Sequence, residues 1–251
     1  MISHIQTVIW KEWLEIKAIL FTRKNLLQGG IFPLLVLLAA FSVYEPWRLG
    51  PNWIGSPIML FGYIVFLPLM TVGAMIPDSF AGERERHTLE SLLTTPLSNH
   101  AILLGKIGAV VCYGWGVTVL GMVIGLIATN LFHARDGYLL YPIELTILAI
   151  VFSLLVSLFM ASAGALTSLH SPTIQEAQRQ MGIILSIPLF PLAFLIGPFA
   201  STAWKIKVSQ LFVTIGATNL IFDIGYILIA LSVALILLAL IRFNRTQLPL
   251  D

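Results

Sequence analysis

The chain is predicted to be an all-α integral membrane protein with six transmembrane helices. Three observations lead there. Of the 251 residues, 58% are hydrophobic and only 10% are charged, and a mean hydropathy of +0.93 exceeds what a soluble core requires. Six stretches lack Asp, Glu, Lys, Arg and His: Leu26–Tyr44, Pro57–Pro77, Ile107–Phe132, Leu145–Leu169, Met181–Ala203 and Ile224–Ile241. Each is about the 17 to 25 residues that a helix needs to cross a bilayer. These runs are apolar on every face, where transmembrane strands would alternate, so a β-barrel is excluded.

With helix ends added, the spans are placed near 26–44, 57–81, 101–132, 142–170, 181–203 and 221–242, within one transmembrane domain over 1–251. An even span count puts both termini on one side. With the termini inside, Lys11, Lys17, Arg23, Lys24, Arg84, Arg86, Lys106, Arg179, Arg242 and Arg245 are cytosolic, leaving Arg48, Arg135, Lys205 and Lys207 outside. Lys and Arg near short spans stay on the cytoplasmic side during insertion, so both ends are expected in the cytosol. The net charge of +2 is then a topology signal. No dense basic patch suggests a nucleic-acid partner.

Residues 2–24 precede the first span. Ile2, Ile5, Ile9, Trp13, Ile16 and Leu20 recur at intervals of three or four, while His4, Lys11, Glu12, Glu15 and Lys17 face elsewhere. This pattern describes an amphipathic helix in the inner interface, and Trp10 and Trp13 favour the headgroup layer. The first apolar run starts too late for a cleavable signal peptide.

The first, second and fifth spans carry Pro33, then Pro68 and Pro77, then Pro188, Pro191 and Pro198. Proline removes a helical hydrogen bond, and such breaks are tolerated beside protein or a water-filled cavity. These spans are therefore the candidates for lining a pathway, the alternative being ordinary helix bending. Phe32, Phe61, Phe66, Met70, Phe190, Phe194 and Phe199 are its candidate lining residues, or else they face lipid. That set carries no charge, which favours an amphipathic or apolar cargo over a bare ion.

Between the second and third spans lies a charged, amphipathic segment, Glu83 to Ser98. Leu89, Leu92, Leu93 and Leu97 fall at helical spacing, and Pro96 stops the pattern, so 83–98 is expected to form a short cytosolic helix with a Leu face for another protein's groove. In the third span Gly108, Cys112 and Gly116 are four apart, as are Gly121 and Gly125. The fourth span answers with Ser153, Ser157, Ala161 and Ala165. Small residues at that interval let helices approach closely, and the two spans are expected to pack together.

Candidate chemistry is sparse. Cys112 is the sole cysteine, which excludes an intrachain disulfide. His4, His87, His100, His133 and His170 lack a second ligand at metal-site spacing, so no metal is expected. Asp78, Glu144 and Asp223 sit near span ends, where water or headgroups reach them. Gly105-Lys106 lacks the upstream Gly and following hydroxyl of a phosphate-binding loop, so the chain does not hydrolyse ATP by itself.

The run Glu-Arg-Glu-Arg-His-Thr-Leu-Glu-Ser-Leu-Leu-Thr-Thr-Pro-Leu-Ser from Glu83, followed by Gly105-Lys106, resembles the type-2 exporter superfamily of ATP-binding cassette (ABC) permeases. Glu83, Arg84, Thr88, Leu89, Glu90, Leu92, Leu93, Pro96, Ser98, Gly105 and Lys106 match that family's pattern. His87 departs from it, since Gly is usual there.

The resemblance implies a non-catalytic half-transporter of the inner (plasma) membrane. Two such permeases, as a homodimer or heterodimer, would bind two cytosolic ABC ATPase subunits. The coupling residues would be Glu83, Arg84, Thr88, Leu89, Glu90, Leu92, Leu93 and Pro96. ATP and Mg would be held by the partner subunits, with no cofactor on this chain. Ser171–Gln180 offers a second cytosolic contact, and Val208, Leu211, Phe212 and Ile215 form a candidate outer helix. A non-transporting membrane scaffold or assembly factor would use the same handle. An intramembrane enzyme would need a polar catalytic cluster within the spans.

Overall fold

The computed structural model describes residues 2–21, 31–88, 97–133, 137–196 and 217–243, and these are helical throughout apart from short connections. Helix α1 spans Ile2–Phe21. The first span runs from Ile31 to Trp53 and comprises α2 (Ile31–Ala39), a π-helical turn, α3 (Glu45–Leu49) and a 3-10 turn. The second runs from Ile58 to Glu85. It falls within α4 (Pro57–Phe61), a second π-helical turn, α5 (Leu67–Met75), a 3-10 turn at Ile76–Asp78 and α6 (Ala81–Glu85). Long helices follow: α7 (Asn99–His133), α8 (Ile143–His170), α9 (Ile174–Ile196) and α10 (Ala217–Arg242).

Five of the described helices are long and apolar enough to cross a membrane: Ile31–Trp53, Ile58–Glu85, Asn99–His133, Ile143–His170 and Phe222–Arg242. The expected fifth span, 181–203, is helical to Ile196 within α9, and its remainder lies outside the described residues. The candidate outer helix around Val208–Ile215 also lies outside them.

Proline places the irregularities of the first two spans. The π-helical turns cover Ala40–Tyr44 and Gly62–Phe66 and end two residues before Pro46 and Pro68. A proline donates no hydrogen bond, and its ring crowds the carbonyl four residues back. The wider turn, with Glu45 N–H bonded to the Ala40 carbonyl and Leu67 N–H to that of Gly62, accommodates this. Pro77 similarly sits in the 3-10 turn at Ile76–Asp78. Pro33 lies in the first described turn of α2, with the residues before Ile31 outside the described residues, and the irregularity described in the first span falls at Ala40–Tyr44 before Pro46.

The two π-helical turns touch where the Phe41 ring lies over Gly62. A Cβ on Gly62 would come within 2.1 Å of the Phe41 ring, and Phe41 stacks on Phe66 at 5.0 Å. The Tyr63 hydroxyl, buried between them, lies 3.1 Å from the Gly121 carbonyl and 3.3 Å from Ser42 Oγ. Trp53 meets the Tyr63 ring edge-on at 6.0 Å.

α7 is the central helix. At 35 residues it is about 50 Å long, more than a hydrocarbon core of about 30 Å requires, so it extends past the apolar layer. Its glycines do not all serve the expected contact with α8. Gly121 meets Leu38, Ser42 and Leu67, and Gly125 meets the Tyr63 and Tyr141 hydroxyls, all belonging to the first two spans or the segment before α8. Gly108 faces Ile9 of α1, Cys112 is exposed, and Gly116 has nothing within 4 Å of its Cβ position. α7 and α8 do pack together, through Gly114 near Ser157 and the Trp115 Nε1 donor 3.0 Å from the Ile150 carbonyl.

The main apolar core joins α5, α7, α8 and α10 around Val72, Ile76, Phe80, Ile102, Met160 and Phe243. It lies next to the residues that precede and follow the 89–96 segment.

Candidate functional site: a buried charge junction at the Glu83 end

Most of the expected coupling residues fall in a segment whose placement is not described: Leu89, Glu90, Leu92, Leu93 and Pro96 lie outside the described residues. Glu83, Arg84 and Thr88 lie inside them, and they define how that segment is anchored.

Glu83 and Arg84 belong to α6, whose start is held by α8. Ser168 Oγ accepts from the Phe80 and Ala81 amides at 3.2 and 3.0 Å and donates to the Pro77 carbonyl at 2.8 Å. These amides open a helix and lack intrahelical partners, so a hydroxyl from a neighbouring helix serves as the cap. Arg84 reaches the other way. Its guanidinium donates to the Leu169 carbonyl at 3.0 Å and to the Ser171 carbonyl, complementing the negative C-terminal end of α8. Glu85 accepts from the Ile174 amide at 3.2 Å, at the first turn of α9. Arg86 pairs with Asp78 at 2.8 Å.

Glu83 points inward, into a buried set of charges. Lys106 Nζ is fully buried and donates to Glu12 Oε1 at 2.7 Å and the Ser79 carbonyl at 2.7 Å, with Glu83 Oε1 at 3.0 Å. An ammonium has three donors, and here each has an acceptor. Phe80 lies 5.2 Å from the same nitrogen, face-on. Lys11 Nζ also contacts Glu83, and lies 3.0 Å from Glu15 and 3.4 Å from Glu12. Burial alone would lower the Lys11 pKa, but the Glu83, Glu12 and Glu15 carboxylates outweigh it and hold the value above that of an ordinary lysine.

Three carboxylates, Glu12, Glu15 and Glu83, bring oxygens within 4.8 Å of one another. The two lysine ammonium groups lie among them and supply the neutralising cations. The Ser79 hydroxyl beside the cluster is engaged with the Ile76 carbonyl at 2.8 Å, and Glu83 Oε2 is buried without a hydrogen-bond partner among the described residues. The cluster's capacity is mechanical: it fastens three segments, α1, the end of the second span and the start of α7, at one point on either side of the 89–96 segment.

Sequence reasoning placed Glu12 away from the packing face of α1, and the structure corrects this. The face toward α7 is Val8, Glu12 and Ile16, at 2%, 4% and 6% exposure, whereas Trp10 and Trp13 are exposed. Glu12 is buried because Lys106 meets it there. The available signal was the four-residue spacing Val8-Glu12-Ile16 opposite Gly105-Lys106: a Cβ on Gly105 would come within 2.6 Å of Val8, so Gly105 admits α1 and Lys106 then binds its carboxylate.

The 83–98 helix expected from the sequence is also interrupted. α6 ends at Glu85, and His87 adopts φ +56°, the left-handed region. The Thr88 amide donates to the Glu83 carbonyl at 2.9 Å and the His87 amide to that of Arg84 at 3.0 Å. This pair of bonds closes a helix with a left-handed residue, and glycine is the usual occupant of such a site. The one departure from the family pattern, His87, thus sits where the backbone requires what glycine supplies.

The candidate pathway residues are dispersed. Met70 lines an apolar cavity of about 230 Å³ with Leu20, Pro33, Leu34, Thr71 and Tyr113. Phe32 is exposed, and Phe61 and Phe66 are half-buried against Phe41 or each other. Phe190 and Phe194 lie in α9, with side chains outside the description, and Phe199 lies outside the described residues. Glu144 and Asp223 are exposed.

Apolar spans enclosing a charged junction beside an inter-span loop define a multi-pass helical membrane protein. The family described as "ABC-2 family transporter protein" matches residues 52–243, and the chain belongs to it. It is 31% identical over 151 residues to the ABC transporter permease protein NatB of Bacillus subtilis (strain 168), across 56% of this chain and 38% of NatB. It is 27% identical over 229 residues to the inner membrane transport permease YhhJ of Escherichia coli (strain K12), across 84% of this chain and 57% of YhhJ. The matches thus span less than two thirds of either relative.

Proposed function

We propose that the chain is the membrane-spanning subunit of an ATP-driven exporter, powered by separate cassette ATPase subunits that dock on residues 83–98. The observation that carries this reading is the Lys106–Glu83–Glu12 junction. A push on the 89–96 segment would reach α6 at one end and α7 at the other, and both are fastened to α1. Movement would then pass into the second span, whose π-helical and 3-10 turns are places where a helix bends. Membership of the ABC-2 family and the names of the two permease relatives support the same assignment.

In this reading both termini and residues 83–98 are cytosolic in a cell inner membrane, as the distribution of Lys and Arg supports. Two permease subunits pair, as a homodimer or heterodimer, and two ATPase subunits bind ATP and Mg. The cargo is hydrophobic or lipid-like, because Met70 and its neighbours line an apolar cavity in which a bare ion would meet no compensating charge.

Replacing Leu93 by Asp tests the docking site. A carboxylate on the Leu face should detach the co-purifying ATPase or uncouple it, while membrane insertion persists. Normal co-purification and transport by the Leu93→Asp protein would refute the assignment. In reconstituted vesicles, ATPase activity should rise with lipophilic compounds; a response to an ion gradient alone would overturn the cargo class.

A further inference from the structure

We infer that the groove between α1 and α7 is a binding site for one anionic phospholipid of the leaflet on the Glu83 side. The groove encloses a cavity of about 350 Å³ whose lining includes Trp13, Ile16, Lys17, Cys112, Gly116 and Leu120. No side chain of the described residues fills its floor: at Gly116 the Cβ position has no heavy atom within 4 Å. An unfilled apolar hollow forfeits dispersion contacts on one side. The surface of α7 continues from it as an exposed apolar stripe, Leu120, Val123 and Ile127. Such a stripe faces hydrocarbon in a chain of this composition, so the molecule at hand to fill the hollow is an acyl chain.

The mouth of the groove selects the headgroup. Lys17 is the one charged residue lining the cavity. It is exposed and takes part in no ion pair among the described residues, whereas Lys11 on the same helix is held by three carboxylates. Trp13 lies one turn before Lys17, and an indole at the headgroup boundary offers an apolar body with a polar edge. A lysine ammonium at that depth attracts a phosphate, and a headgroup without its own cation leaves that attraction uncontested. Phosphatidylglycerol has this chemistry; phosphatidylcholine carries a competing ammonium. The site is independent of cargo and of the ATPase docking reading.

The test uses the full chain in nanodiscs of equal phosphatidylglycerol and phosphatidylcholine, released into a mass spectrometer under native conditions. The wild type should retain one phosphatidylglycerol in preference to phosphatidylcholine by about fivefold, the weight of one lysine near an anionic headgroup. Lys17→Gln, a change at an exposed position, should abolish the preference while retention persists. Gly116→Leu fills the hollow without a clash at its Cβ and should remove retention of both lipids. An unchanged preference in Lys17→Gln, or unchanged retention in Gly116→Leu, would overturn the proposal. So would a Cys112-to-Cys112 crosslink between two copies in intact membranes, since a second copy would then occupy the groove.

Discussion

Lys106 Nζ lies 2.7 Å from Glu12 Oε1, with the lysine fully buried and the glutamate side chain 6% exposed. Ninety-four residues separate them, so this contact ties the N-terminal helix to the third span. Burying ions is expensive, and a buried pair is chiefly costly to break by halves. Lys106→Met should destabilise the fold by about 3–5 kcal/mol, because Glu12 and Glu83 lose their shared ammonium in a water-poor site. The double variant Glu12→Leu/Lys106→Met should lose markedly less than the sum of its parts. Thermal unfolding of the four proteins in one detergent measures the cycle, and additive losses would contradict the pairing.

Lys11 makes the junction insensitive to ordinary pH on its cationic side. Its folded pKa lies above the unfolded lysine value because Glu83, Glu12 and Glu15 outweigh the cost of burial. A group raised in this way contributes fully below its unfolded pKa, about 10.4 for lysine, and loses that contribution only as pH climbs through the higher folded value. The stability difference between wild type and Lys11→Met should therefore be flat from pH 6 to 9. A difference that shrinks across that window would show that Lys11 does not sit among these carboxylates.

Gly105 brings α1 and α7 together. Its Cβ position lies 2.6 Å from Val8 Cβ, with the Ile5 carbonyl oxygen at an ordinary contact distance of 3.4 Å, so any side chain there pushes against Val8. Gly105→Ala should cost about 1–3 kcal/mol, as overpacking of a well-filled contact does. Val8→Gly removes the opposing Cβ, and the double variant Val8→Gly/Gly105→Ala should recover part of the loss. A loss of the same size whether or not Val8 is present would place the strain elsewhere.

Legibility followed physical period. The apolar runs announced membrane helices because composition over some twenty residues carries that signal in any context. Glu83 and Gly105-Lys106 stood out only by matching a family pattern, and their meeting at 3.0 Å was not legible, because residues so far apart in the chain come together only through the packing of whole helices. Glu12 was misplaced because a helical wheel assigns charges to the solvent side, and only the buried Lys106 across the junction reverses that preference. The glycine intervals of α7 were visible, but period alone does not say which neighbour answers them: Gly121 and Gly125 turned to the first two spans. Proline marked irregular turns correctly in the second span. In the first the described irregular turn belongs to Pro46, which lies beyond the charge-free run, so an apolar-run reading did not weigh it.

His87 fixes the exit direction of the chain toward residue 89. At φ +56° its side chain carries a cost of about 1–2 kcal/mol that glycine would not, sustained by the two bonds that close α6: Thr88 N–H to the Glu83 carbonyl and His87 N–H to that of Arg84. His87→Gly should match or slightly exceed wild-type stability, its relief of strain being offset in part by the greater freedom of glycine in the unfolded chain. His87→Val should lose about 1–2 kcal/mol, because a β-branched side chain fits the left-handed region poorly. Since Glu83 and Arg84 supply the accepting carbonyls, the Val variant should also loosen α6, seen as faster amide exchange at residues 83 to 88 with the spans unaffected. Equal stability and exchange in the Gly and Val variants would mean that the left-handed turn is absent in the membrane, and that α6 runs on past His87 as the sequence pattern first suggested.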